Sequence, residues 1–141
     1  MARNAVAVDL VGLLSRAERE VSARVARVLE EQGCSLDDWR ILALLHAGGG
    51  RPMSAVAEAA MLPPPTLTKR VDRLVAANLV HRRVDDSDRR RVLVLLAPRG
   101  RALHDQLAPL VRREQQRVAA VLEQHCDVDA LAAGLAALTT S

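Results

Sequence analysis

Residues 63–101 hold ten basic side chains (Lys69, Arg70, Arg73, Arg82, Arg83, Arg89, Arg90, Arg91, Arg99, Arg101) against four acids, Asp72, Asp85, Asp86 and Asp88. The segment is +6 within a chain of +3, so everything outside it sums to −3. Cationic groups at this density suit phosphate oxygens and guanine edges, and threonine hydroxyls such as those of Thr66 and Thr68 suit phosphates or thymine methyls. The chemistry on offer is recognition of a polyanion. Catalytic chemistry is not in view: no Ser/His/Asp set or paired carboxylates can be placed, and Gly48–Gly50 lacks the Lys-Ser/Thr and preceding strand of a phosphate loop. No enzyme and no cofactor are expected. The four histidines (His46, His81, His104, His125) show no i, i+4 pair, so no metal site is expected either.

These side chains need elements to hold them. Pro63-Pro64-Pro65 breaks the chain, and proline suits the first turn of a helix, so the spacing predicts a helix from about Pro64 to Ala77 with Asn78 just past its end. At about 100° per residue, Val71, Leu74 and Val75 fall within about 80° of Leu67 and face a core. Pro65, Lys69, Asp72, Arg73 and Ala76 point the other way, with Thr66, Thr68 and Arg70 on the flanks. Val80–Val84 and Val92–Leu96 read as a β-hairpin around Asp85-Asp86-Ser87-Asp88. Arg89, Arg90 and Arg91 sit at its tip, where a guanidinium can enter a narrow minor groove. Asp88, two residues before Arg90, is expected to orient that side chain.

The remaining segments are helical. Apolar positions at Val6, Leu10, Leu14, Ala17, Val21, Val25 and Val28 step by threes and fours, giving a helix over 6–31 that stops at Gly33. Ser35 caps a second helix bearing Leu36, Trp39 and Leu42, and Ser54 is the expected cap of a short third one running to Met61. Pro98 opens a long fifth helix, and Asp127 or Asp129 starts a sixth. The predicted fold is mainly α with a small β-hairpin wing, in the order α-α-α-α-β-β-α-α: a winged helix-turn-helix lobe (35–97) flanked by long dimerisation helices (5–32 and 98–140), within one domain spanning 1–141. In that arrangement the second helix of the pair enters the major groove.

The stretch from Leu62 to Leu103 resembles the MarR family of bacterial transcription regulators. Thr66-Leu67-Thr68-Lys69 matches its Thr-Val-Thr-Arg-like recognition helix, Asp88-Arg89-Arg90 its wing, and Leu96-Ala97-Pro98-Arg99-Gly100 the run that follows. Leu36, Trp39, Ile41, Leu42 and Leu45 follow the family's pattern in the second helix. The chain departs from it at Pro63 and Pro65, at Ala97, which removes a helix cap, and at Asn78, where the family usually has Gly. The resemblance implies a triangular homodimer with intertwined first and last helices. The stripes on 6–31 and on the fifth helix independently ask for such cover, because an apolar face of that length is a liability in a monomer.

The sequence expectation is therefore a homodimeric repressor that binds double-stranded DNA at a pseudo-palindromic operator, through Pro65, Thr66, Thr68, Lys69, Arg70, Arg73, Arg89, Arg90 and Arg91. Its release by a small-molecule or oxidative signal follows from the resemblance alone. A ligand pocket is placed near Trp39, Arg40 and His46, and Cys34 and Cys126 are the candidate redox pair. Met1–Leu14 lacks the pattern of a signal peptide and no run has the length of a membrane span, so a cytoplasmic location with no membrane partner is expected. The competing reading keeps the winged fold but serves a protein partner; the retained outer face of Lys69, Arg73 and Arg90 speaks for DNA.

Overall fold

The computed structural model describes residues 8–140. Helix α1 spans Leu10–Glu30 and starts where the Asp9 carboxylate accepts the Gly12 N–H at 2.9 Å. The expected earlier start at Val6 lies outside the described residues. Helix α2 (Leu36–Gly48) is capped by Ser35, whose hydroxyl accepts the Asp38 N–H. A two-residue strand, β1 (Arg51–Pro52), leads directly into α3 (Met53–Ala60). Here the expectation fails: Pro52 sits at the cap position and Ser54 lies inside the first turn. The strand claims residues that would otherwise have been loop, and moves the helix start forward.

Helix α4 (Pro64–Ala76) has a proline in its first turn and ends in a left-handed Asn78, φ 57°, as the sequence suggested. The Leu79 N–H reaches back to the Leu74 carbonyl at 2.9 Å and closes the cap. Strands β2 (Val80–Val84) and β3 (Val92–Leu96) pair antiparallel, Val80 opposite Leu96 and Val84 opposite Val92. β1 adds to the other edge of β3, giving a three-stranded sheet in the order β1-β3-β2. Helix α5 (Pro98–Glu123) starts without a side-chain cap at Ala97, and α6 (Val128–Thr139) is capped by Asp127. The mainly helical architecture with a small wing is the one expected.

Two cores form. The first joins Ile41, Leu42 and Leu45 of α2 to Val56 and Ala60 of α3, Leu67, Val71 and Leu74 of α4, and Val80 and Val94 of the sheet. The second joins Val25 and Leu29 of α1 to Cys34, Leu107 and Val111. Leu103, near the start of α5, packs against both. Fully burying one such Leu or Val is worth about 1.5–3 kcal/mol, so these clusters fix how α4 is presented. By contrast, no residue of α6 is buried. No described helix is long and apolar enough to cross a membrane.

Candidate nucleic-acid interface

Leu67, Val71 and Leu74 anchor α4 inward, so Pro65, Thr66, Thr68, Lys69, Asp72 and Arg73 are left exposed. Along that face runs an open depression of about 710 Å³ lined by Pro65, Thr66, Lys69, Arg70, Asp72 and Arg73. Lys69 and Arg73 form no ion pair among the described residues, so both charges face solvent unneutralised. The Thr68 hydroxyl donates to the Pro64 carbonyl at 3.0 Å, which leaves its oxygen as an acceptor rather than a phosphate donor.

Arg70 does not join them. Its guanidinium turns back onto the start of α2, 3.2 Å from Asp37, 3.4 Å from Asp38 and 3.0 Å from the Ser35 hydroxyl. It locks α4 against α2 instead of projecting outward, which corrects its place in the expected contact set. Sequence reasoning also missed Arg82, which meets Asp72 at 2.5 Å and ties strand β2 to α4. That pair sets the wing against the helix. Nothing in the spacing signals it, because it spans two elements whose mutual packing only the fold supplies.

The wing tip is built by acids acting mainly on backbone. Asp85 accepts the Ser87 N–H at 3.0 Å and the Ser87 hydroxyl at 2.8 Å. These two hydrogen bonds, with Arg91 and Arg83 adding to them, hold its carboxyl below the usual carboxylate range. Asp88 accepts the Arg90 N–H at 3.0 Å, and its carbonyl accepts the Arg91 N–H at 2.9 Å. The expected side-chain pairing of Asp88 with Arg90 is absent among the described residues; Asp88 shapes the turn through the main chain. Arg91 bends back to Asp85 at 3.6 Å. Arg89 and Arg90 are the two tip arginines left exposed and without an ion pair among the described residues.

The other candidates lie at the junction of the two cores. Arg40 pairs with Glu18 at 3.6 Å and Asp37 at 3.9 Å. Trp39 stacks on His104, ring centroids 4.9 Å apart, and His46 stacks on His104 at 3.7 Å. Both imidazoles reach the Asp105 carboxylate at 3.2 Å. The His104 hydrogen bond, with His46 adding to it, lowers the Asp105 pKa. No metal-ligating set was expected from the sequence, yet the fold brings His46, His104 and Asp105 together. Cys34 is buried, its thiol donating to the Ser35 carbonyl at 3.4 Å, while Cys126 is exposed. Burial, helped by the nearby Asp38 charge, pushes the Cys34 pKa up to about 11. That makes Cys34 a poor nucleophile.

The MarR family model matches residues 32–91, the second helix through the wing tip. A crystal structure of a MarR-family transcriptional regulator from Silicibacter pomeroyi is 32% identical, covers 91% of this chain and 84% of its own, and superposes with a TM-score of 0.73. The chain belongs to the MarR family. Two further solved structures are similar along nearly their whole length. The transcriptional repressor CouR, bound to a 23-mer DNA duplex, is 27% identical with a TM-score of 0.80 and 92% of each chain covered. NadR in complex with 4-hydroxyphenylacetate is 27% identical with a TM-score of 0.76, 96% of this chain and 97% of that one covered. This MarR protein is a transcriptional regulator of the DNA-binding type, from a family of regulators and not of enzymes.

Proposed function

We propose that this MarR protein is a homodimeric, cytoplasmic repressor that grips a pseudo-palindromic operator and lets go when a small molecule binds. The observation that carries the DNA surface is the charge left unpaired on one side. Lys69 and Arg73 on α4 and Arg89 and Arg90 on the wing are exposed and without ion pairs among the described residues, while Arg70, Arg82 and Arg91 are spent within the chain. Helix α4 enters the major groove and the wing tip reaches the minor groove beside it. A two-fold dimer places the two half-sites about one helical turn apart, roughly 34–36 Å.

The DNA duplex bound by CouR and the 4-hydroxyphenylacetate bound by NadR support the two halves of the reading. Of the two release signals the sequence left open, the small molecule is favoured, because the Cys34 thiol is buried and held protonated. The ligand would enter between the lobe and α5, where Trp39 and His46 lie.

Fluorescence anisotropy against DNA from upstream of the protein's own gene, across a salt series and with a scrambled control, tests the reading. Selective binding is expected, with log K falling steeply against log salt. Arg90→Ala should weaken binding to every duplex and flatten the slope by about 1, while Lys69→Ala and Arg73→Ala should also alter sequence preference. Intact affinity in all three variants would remove this surface from DNA recognition. Equal, weak binding to both duplexes would favour a protein partner.

A further inference from the structure

The junction between the two cores holds a cluster that DNA binding does not use. His46 closes the last turn of α2, while His104 and Asp105 lie in the second turn of α5. One ligand atom from each residue lies within 4.8 Å of the others. Asp105 Oδ1 is 3.2 Å from His46 Nε2 and 3.2 Å from His104 Nδ1. We propose that His46, His104 and Asp105 form a binding site for a divalent transition-metal ion of the zinc type.

The spacing fits such an ion. With metal–ligand bonds of about 2.0–2.1 Å, neighbouring ligand atoms around a tetrahedral centre sit about 3.3 Å apart. Both histidine–carboxylate edges already have that length. The third edge, between the imidazoles, must be set by ring rotation. The two rings are stacked, 18° from parallel, and imidazole lone pairs lie in the ring plane. They must therefore fan apart about their Cβ–Cγ bonds to meet on one ion.

The surroundings divide that motion unequally. Trp39 lies flat on His104, within 5° of parallel, and holds its ring plane. His46 is more exposed, at the end of its helix, and is the ring with room to turn. Asp105 is exposed, which gives an ion a path from solvent.

Two nitrogens and one carboxylate oxygen suit zinc, cobalt and nickel better than magnesium or calcium, which prefer all-oxygen sets. Three protein ligands leave a fourth position for water, the pattern of an exchangeable rather than a closed structural site. The ion would join α2 to α5 beside Leu103, the residue shared by both cores. Pro109, one turn further along α5, has no N–H to give the Asp105 carbonyl, so the helix lacks one backbone hydrogen bond at the site.

The test is equilibrium dialysis of the tag-free, full-length protein against zinc chloride, followed in parallel by the fluorescence of Trp39, the chain's single tryptophan. Saturable binding of one zinc per chain is expected, with a matching change in emission because Trp39 stacks on a ligand. His46→Gln, His104→Gln and Asp105→Asn should each weaken binding at least tenfold. His81→Gln/His125→Gln should leave it unchanged. If His104→Gln unfolds for want of its stack, His46→Gln and Asp105→Asn carry the test, with circular dichroism confirming their fold. Absence of saturable binding overturns the site. So does binding that survives both of those variants, or binding that disappears with His81 and His125. None of these outcomes involves DNA, so the regulator reading stands or falls separately.

Discussion

Arg70 and Arg73 sit one helical turn apart on α4 and do different work. Arg73 is exposed, whereas Arg70 spans to Asp37, Asp38 and Ser35 across a half-buried seam. Hydrogen bonds to charged groups in such places are worth about 1.5–3 kcal/mol. Arg70→Ala is therefore expected to lower the unfolding free energy by about that amount in urea, with a smaller loss of DNA affinity than Arg73→Ala. The reverse ranking would put Arg70 back on the DNA. Cys34 gives a second residue-scale expectation. Its pKa is raised from 9.0 to about 11, so the unfolded chain loses this proton at lower pH than the folded one. The contribution is fully present below about pH 9 and is lost as pH rises through 11, on the order of 2 kcal/mol. The chain has no tyrosine to titrate across the same range. Cys34→Ala should flatten the alkaline limb of a stability–pH curve measured by urea titration; an unchanged limb would mean that the thiol is solvated.

At the scale of elements, Gly100 decides how α5 meets the hairpin. A Cβ on it would lie 2.0 Å from the Leu79 carbonyl oxygen, which already accepts the Ala97 N–H. Backbone cannot yield there as a flexible side chain would. Gly100→Ala is expected to cost about 2–3 kcal/mol, seen as a lower urea midpoint by circular dichroism, and an unchanged midpoint would show that the approach is looser. Such particulars mark what the sequence could and could not carry. The bounds of β2, β3 and α4 were legible because periodicity, a proline start and a left-handed Asn78 agreed with one another. β1 was not, because two residues ending in proline have no pattern, and they earn strand geometry only by pairing with β3. The outward set on α4 followed from helical angle alone. Which arginines bend inward did not, since Arg70 of α4 depends on where α2 starts and Arg82 of β2 on where the wing lies. The His46, His104 and Asp105 cluster joins two helices far apart in sequence, so no spacing rule reaches it.

For the whole molecule, the outstanding fact is apolar surface that the described residues leave uncovered. At one end of α1, Val8, Leu10 and Val11 are 63–77% exposed, and on α6 Leu138 is 68% exposed. Leu131 and Leu135 share the α6 stripe, and Val121 on α5 is also exposed. Helix α6 buries none of its residues within one chain, so apart from the Asp127 cap and its contact with α5 little but propensity holds its twelve residues, too few for a stable isolated helix in water. A second copy laid across these faces by a two-fold axis, as the proposed homodimer requires, would supply the missing cover and put two copies of α4 on one face of the DNA. Symmetry also amplifies a test of it, because every substitution appears twice. If burying one leucine is worth about 2 kcal/mol, replacing Leu138 alone by Glu costs the dimer at least about 4 kcal/mol, close to a thousandfold in its dissociation constant. Sedimentation equilibrium at micromolar concentration should find the native protein dimeric and Leu138→Glu largely monomeric. The variant should also bind a single half-site about as well as the full operator, since a monomer engages only one. A native protein that sediments as a monomer, or a variant that stays dimeric, would move the interface elsewhere.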